Sequence, residues 1–187
     1  MRVIAGALGG RRLIAPRGMA TRPTSDRVRE ALFSALGDVR DALVLDLYAG
    51  TGALGIEALS RGAQRAVFVD NARAALAALR DNLAALGLGA ATLVLAQSVE
   101  RAASEVARHG PFDLVLLDPP YSASGDIPKV LATLLRTSAL APSARVVVEH
   151  ASRNEAPQCE GFERLSTKTY GDTAISTYAC APRCTPE

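Results

Sequence analysis

Tryptophan is absent, and aromatic residues of any kind make up only 4% of the 187 residues. Core volume must then come from Leu, Val, Ile and Ala. Cysteine is scarce: Cys159, Cys180 and Cys184 are odd in number and sit near the C-terminus. Cys180 and Cys184 have no nearby histidine or second cysteine pair, which argues against a zinc site and leaves them as cytosolic thiols. Of the two histidines, His109, beside Gly110-Pro111, reads as a loop residue rather than a catalyst. No metal is expected. No apolar run approaches the roughly 18 residues that a membrane span requires. The N-terminal stretch, interrupted by Gly9-Gly10-Arg11-Arg12, lacks the apolar region of a signal peptide. A cytoplasmic location is expected. Repeats and low-complexity segments are missing as well.

What is present is a folded-protein composition, 49% hydrophobic and 21% charged, at a length that suits one domain with a sizeable core. Positive charge is nearly all arginine and is unevenly placed. Residues 1–29 hold seven arginines (Arg2, Arg11, Arg12, Arg17, Arg22, Arg27 and Arg29) against one acid, Asp26, whereas the remainder carries 14 basic and 18 acidic groups. A basic segment on a mildly acidic body points to a polyanion partner, because arginine meets phosphate as a bidentate fork. A solvated, arginine-rich face is the plainer alternative.

Short apolar runs at residues 2–5 and 12–15, separated by Gly6, Gly9 and Gly10, suggest a small hairpin. Pro16, Gly18 and Pro23 keep the next stretch irregular. A helix follows, capped by Thr24, Ser25 or Asp26, with Val28, Leu32 and Leu36 on one face. Arg27 and Arg29 lie off that face, free to meet solvent or a ligand. Strands are expected at residues 43–45, 66–69, 92–96 and 145–149, and helices at 72–86, 99–108 and 127–135, with Leu76, Leu79, Leu83 and Leu86 forming a core stripe. Residues 162–168 and 173–179 can pair as an antiparallel hairpin about Tyr170-Gly171-Asp172. Strands alternating with helices imply a mainly parallel α/β sheet that ends in a hairpin.

One stretch is chemically loaded. Leu114 to Leu117 are four apolar residues in a row, as in a strand covered on both faces, and they run into Asp118-Pro119-Pro120-Tyr121. The prolines fix φ and offer no N–H, so this loop presents a carboxylate, carbonyls and a phenol ring at the carboxyl end of a strand, where open α/β sheets bind ligands. Acceptors with a stacking face suit a planar base that carries an exocyclic amine. Asp118 and a loop carbonyl would hold the two N–H bonds, favour the pyramidal and reactive nitrogen, and aim it for in-line attack. The bland alternative is an Asp-Pro-Pro turn that merely ends a strand.

A second loop follows the 43–45 strand. Gly50-x-Gly52-x-x-Gly55 matches the dinucleotide fingerprint, with Asp70 about 20 residues on, so a nicotinamide or flavin enzyme competes. Asp46, at the mouth of that loop, would repel a pyrophosphate and would suit a cationic ligand without phosphate, such as S-adenosylmethionine. Asp70 could accept hydrogen bonds from both ribose hydroxyls, or act simply as a helix N-cap. Gln97-Ser98, at the end of the 92–96 strand, could meet an adenine.

Asp46-Leu47-Tyr48-Ala49-Gly50-Thr51-Gly52 followed by Asp118-Pro119-Pro120-Tyr121 resembles a class I S-adenosylmethionine-dependent methyltransferase that acts on an exocyclic amine. Residues 21–33, Thr-Arg-Pro-Thr-Ser-Asp-Arg-Val-Arg-Glu-Ala-Leu-Phe, together with Tyr170-Gly171-Asp172-Thr173, resemble the RsmD family, and the likeness runs from Met1 to about Tyr178. The resemblance implies a Rossmann-like seven-stranded sheet, mostly parallel with an antiparallel C-terminal hairpin, plus a small N-terminal β-hairpin extension. The basic arm would be residues 1–24, packed on a methyltransferase domain of residues 25–187. It implies methylation of guanine N2 in small-subunit (16S) ribosomal RNA, on an assembling subunit, by a monomer. Carried over residue by residue, Asp46, Tyr48, Ala49, Gly50, Thr51 and Gly52 would form the cofactor loop. Asp70 and Asn71 would meet the ribose, Gln97 and Ser98 the adenine, and Asp118 the methyl-donor side. Asp118, Pro119, Pro120 and Tyr121 would be catalytic, and Arg11, Arg12, Arg22, Thr24, Arg27 and Arg29 would face RNA. Gln97 stands where an acid is common, and Asp70 where Glu is usual. The competing readings are a DNA adenine-N6 or protein glutamine-N5 methyltransferase and, from another class, a non-catalytic RNA-binding assembly factor.

Overall fold

The apolar runs read as strands from residue 43 onward take their places in one seven-stranded sheet of the computed structural model, which describes residues 1–15 and 26–181. The expectations for Pro16, Arg17, Gly18, Arg22, Pro23, Thr24, Ser25 and Cys184 lie outside the described residues, as do the side chains of Tyr121, Ser122 and Ser124. The elements run α1 (Asp26–Leu36), β1 (Leu43–Leu47), α2 (Ala53–Ser60), β2 (Arg65–Asp70), α3 (Arg73–Ala85), β3 (Thr92–Ala96), α4 (Val99–Glu105), β4 (Phe112–Leu117), α5 (Ile127–Arg136), β5 (Leu140–Ala151), β6 (Phe162–Tyr170) and β7 (Thr173–Cys180). Strand order is β3-β2-β1-β4-β5-β7-β6. The first five strands are parallel, and β7 inserts antiparallel between β5 and β6.

Alternation along the strands sends side chains to two cores. Val44, Leu114, Leu116 and Phe68 join Leu79 and Leu83 of α3, Ile56 of α2 and Leu32 and Phe33 of α1 on one face. Leu45, Leu47, Val67, Val115 and Leu117 meet Ala102 of α4 and Val130, Leu131 and Leu134 of α5 on the other. Two covered faces explain why β1, β2 and β4 read as nearly unbroken apolar runs. At the antiparallel end, buried His150 on β5 shares a hydrogen bond with buried Ser176 on β7 (2.9 Å), and Ser176 bonds exposed Thr167 on β6 (2.9 Å), so a polar chain running from core to surface ties three strands together.

Two boundaries differ from expectation. The helix expected over 99–108 closes at Glu105 and tightens into a 3-10 turn, Val106–His109. The strand expected over 145–149 runs from Leu140 to Ala151. Its early part pairs Leu140 with Phe112 across a register shift, and its later part pairs residue by residue with β7, so the Pro142-Ser143 break that looks like a loop is absorbed as an irregularity.

The N-terminal hairpin is a single antiparallel bridge, Arg2 to Arg12, flanked by Val3 N–H to Arg11 O (2.9 Å) and Leu13 N–H to Met1 O (3.1 Å). It is fastened to α2 by a fully buried acid. Glu57 accepts the N–H groups of Ile4 (2.7 Å) and Ala5 (3.1 Å) and pairs with Arg61 Nε (2.8 Å). Ser60 accepts Leu8 N–H and donates to Ala5 O. Gly6 sits so close that a Cβ there would lie 1.8 Å from the Ser60 carbonyl oxygen, which makes the glycine obligatory.

Candidate active site

Register places the two loaded loops side by side. Leu47 stands between Val69 of β2 and Leu117 of β4, so Tyr48 and Asp118 are the next residues beyond the carboxyl rim. Asp70 is level with Ala96, the residue before Gln97. The dinucleotide-like loop, the acid after β2, the Gln97-Ser98 corner and the proline loop thus come to one edge of the sheet, next to the point where strand order reverses between β1 and β4.

The glycine loop is tightly held. Tyr48, Gly50 and Gly52 all have positive φ (58°, 56° and 79°), unusual for the tyrosine and natural for the glycines. A Cβ on Gly52 would meet Leu79 Cδ1 at 2.4 Å, and one on Gly55 would meet Phe68 Cε1 at 2.4 Å. These two glycines let α2 approach the sheet. A Cβ on Gly50 would meet only Tyr48 O, at 4.0 Å, so the backbone there faces open space where a ligand can lie against it. Asp70 braces the loop from the side: Oδ2 accepts Gly50 N–H (2.8 Å) and Oδ1 accepts Ala72 N–H at the start of α3 (2.8 Å). The helix-start role therefore coexists with a carboxylate beside the loop. Ala49 N–H bonds Val69 O at 3.1 Å, and Thr51 is buried.

Asp46 is not at the mouth of the loop, and that expectation is corrected. It is 1% exposed and lies under the loop, where Oδ2 accepts Gly55 N–H at 2.9 Å. The reason is strand alternation: Asp46 points to the same side as Val44, towards α2. Burial pushes its carboxyl well above the ordinary carboxylate range, and the charges of Asp118 and Asp70 push it further. Asp118 and Asp70 place two carboxylates at this rim, which suits a cation and opposes a pyrophosphate.

Gln97 donates from Nε2 to Glu105 Oε2 (2.7 Å), so its carbonyl oxygen is the end left to accept an amino group. Ser98 opens α4 and Asn71 is exposed after β2. In the proline loop Asp118 is half-buried, Pro119 is buried and Pro120 is exposed. Pro120 O accepts Ala123 N–H (2.8 Å) as the chain enters a 3-10 turn, Tyr121–Asp126. Tyr48 Oη is buried, and among the described residues no well-formed hydrogen bond reaches it, although Glu100 lies close to it. Burial raises its phenol to about 12, with the charges of Glu100 and Asp126 adding to the effect. The acceptor for the ribose, the acceptor for an adenine amine, the negative rim and the open backbone at Gly50 together fit S-adenosylmethionine.

The family described as "Conserved hypothetical protein 95" matches residues 1–179. The chain belongs to this family. A Bacillus subtilis member, YlbH, is 40% identical over 182 residues, covering 95% of this chain and 98% of its own length. The Escherichia coli protein named "Ribosomal RNA small subunit methyltransferase D" is 40% identical over 159 residues, covering 84% of this chain and 78% of its own. The solved structure of Escherichia coli yhhF superposes with a TM-score of 0.84 at 34% identity, covering 98% of this chain and 99% of that one.

For this family member the basic set divides. Arg11, Arg12 and Arg27 are exposed, and Arg11 reaches Ala85 O at the end of α3 (3.4 Å). Arg22 and Thr24 lie outside the described residues. Arg29 is a correction. It is fully buried, donates from Nη2 to Asp26 Oδ1 (2.9 Å) and to Arg2 O, and so holds the arm against α1 instead of facing solvent. The helix has a second buried row, because Phe33 is buried as well as Val28, Leu32 and Leu36, and Arg29 lies four residues before Phe33 on that row. That spacing is the signal that could have placed it inside. Glu57, Ser60 and Asn82, which hold the arm, carried no sequence signal beyond being polar in apolar helices.

Proposed function

We propose that the protein transfers the methyl group of S-adenosylmethionine to the exocyclic N2 amine of a guanine in small-subunit (16S) ribosomal RNA. It is an S-adenosylmethionine-dependent rRNA methyltransferase, a reading supported by its family membership and by relatives named for that activity. The observation that carries the site assignment is the shared rim, where Asp118 follows β4 directly beside the glycine loop that follows β1.

When bound, S-adenosylmethionine would supply an electrophilic methyl group: the N–C bond would form as the methyl–sulfur bond breaks, S-adenosylhomocysteine would leave, and the extra amine proton would pass to water. The chain's own residues do the rest. Asp70 and Asn71 hold the ribose, Gln97 with Ser98 meets the adenine, and residues 48–52 lie along the cofactor. Asp118 and a loop carbonyl accept the two amine hydrogens, so the nitrogen lone pair is turned from the ring towards the methyl group. Pro120 O already accepts one hydrogen bond, from Ala123 N–H (2.8 Å). Tyr121 is assigned to stack on a guanine taken out of its own stack. Arg11, Arg12 and Arg27 supply phosphate contacts, with Arg22 and Thr24 assigned the same partner.

Further parts of the reading are an assembling small subunit as substrate, a monomeric enzyme and a cytoplasmic location. Among the described residues no helix is long and apolar enough to cross a membrane. The test is mass spectrometry of nucleosides from small-subunit particles that lack the modification, incubated with the protein and S-adenosylmethionine. New N2-methylguanosine is the expected product. N6-methyladenosine would overturn the base assignment, and no transfer to RNA would overturn the substrate class.

A further inference from the structure

Asn82 is the one polar residue of α3 that is wholly buried, at 1% exposure, on the same stripe as Leu79 and Leu83. A leucine would satisfy that core; the amide instead makes three hydrogen bonds. Oδ1 accepts Ile14 N–H (2.7 Å), and Nδ2 donates to Ile14 O (3.1 Å) and to Thr51 O (3.0 Å). Bonding both main-chain groups of Ile14 is what a neighbouring strand would do. Only one orientation of the amide satisfies all three partners, so its oxygen and nitrogen are assigned by the network itself. Thr51 lies in the glycine loop between Gly50 and Gly52. Ile14 lies in the arm, two residues after Arg12. Two of the arm's other fastenings, Glu57 and Ser60, belong to the helix that starts at the end of the same loop.

We propose that Asn82 is a positioning residue that couples the arm to the cofactor loop, so that an occupied cofactor site tightens binding of small-subunit RNA; the RNA half of this inference rests on the function proposed above. The two hydrogens of Nδ2 are divided between the two segments. If either segment shifts, the buried amide loses a bond that the surrounding leucines cannot replace. A ligand against the glycine loop fixes Thr51, which fixes Asn82, which fixes Ile14 and the arginine-bearing chain beside it. Coupling of this kind is reciprocal, so RNA on the arm raises cofactor affinity by the same factor.

The test uses the full chain, S-adenosylhomocysteine as the loop ligand, and unmodified small-subunit particles as the RNA. In the wild-type protein the ligand should slow hydrogen exchange of the Ile14 amide relative to amides of the β6–β7 hairpin. It should also tighten RNA binding by about fivefold or more, the usual range of such coupling. In Asn82→Ala the ratio of RNA affinities with and without ligand should fall to about one. Asn82→Asp keeps the acceptor for Ile14 N–H but has no donor for Thr51 and Ile14, and should behave as the alanine variant does. A purely structural role would lower the melting temperature and leave the ratio unchanged. That result, or a wild-type ratio of one, overturns the proposal. Should both variants fail to fold, absence of ligand-dependent protection at Ile14 in the wild type overturns it alone. Lack of methyl transfer to RNA beside intact protection at Ile14 would instead overturn the function and leave the coupling of arm and loop standing.

Discussion

The glycine loop and the proline loop meet at one rim, yet each is held in shape by different means. The glycine loop is fixed from outside itself: Asp46 from below through Gly55, Asp70 from the side through Gly50, Val69 through Ala49 and Asn82 through Thr51. The proline loop restricts its own backbone, because two pyrrolidine rings fix φ at Pro119 and Pro120, and a turn bond runs from Ala123 N–H to Pro120 O. A loop without N–H groups at Pro119 and Pro120 offers acceptors and few donors. The difference suits the roles proposed for the two loops, a standing cradle for the cofactor and an acceptor edge for an amine that arrives and leaves with each turnover.

The contrast can be broken from either side. The largest effect is expected at Gly52, where alanine would need a strained positive φ and would drive a Cβ against Leu79. Gly52→Ala should lower stability by about 2–4 kcal/mol and abolish measurable S-adenosylhomocysteine binding, as read by thermal denaturation and calorimetry. A variant with unchanged binding would mean that the loop is less constrained than its packing implies.

Asp46→Asn gives a smaller effect with a definite sign. Because burial raises the folded-state carboxyl well above its ordinary value, the unfolded chain releases this proton first as pH rises. The stability linked to this group is full below about pH 4 and is lost as pH climbs through the raised folded value. Asparagine can still accept Gly55 N–H, so the ligand-free variant should melt higher than wild type at pH 7 and show a flatter pH dependence, while binding S-adenosylmethionine more weakly. A melting curve with the wild-type pH dependence would contradict this.

Tyr48→Phe should do least. It removes a buried hydroxyl that Glu100 approaches without a well-formed hydrogen bond, so stability should change by no more than about 1 kcal/mol, and cofactor binding should stay as it was. A clear loss in chemical denaturation would mean that the hydroxyl has a partner in solution.

How much of this was legible in the sequence depends on whether a residue acts through its neighbours along the chain or across space. The sheet was readable because apolar runs on β1, β2 and β4 obey a local period, and the two loops because glycine and proline restrict their own dihedrals. Asp46 was found as a residue but misplaced, since the nine-residue return from β1 to Gly55 decides whether it lies above or below the loop. Arg29 was misread because its partners are Asp26 on the same helix and the Arg2 carbonyl of a distant strand, and only the second shows that the arm covers that side. Asn82 and Glu57 went unseen for the same reason: each is a polar side chain that replaces a main-chain partner 68 or 53 residues away.

The separation of binding from chemistry is tested most directly by Asp118→Ala, with single-turnover methyl transfer and S-adenosylhomocysteine affinity measured on one preparation. The expected result is a rate lower by about a hundredfold or more, with affinity changed by only a few-fold. Near-normal turnover, or a loss of affinity as large as the loss of rate, would contradict the assignment of Asp118 to the amine.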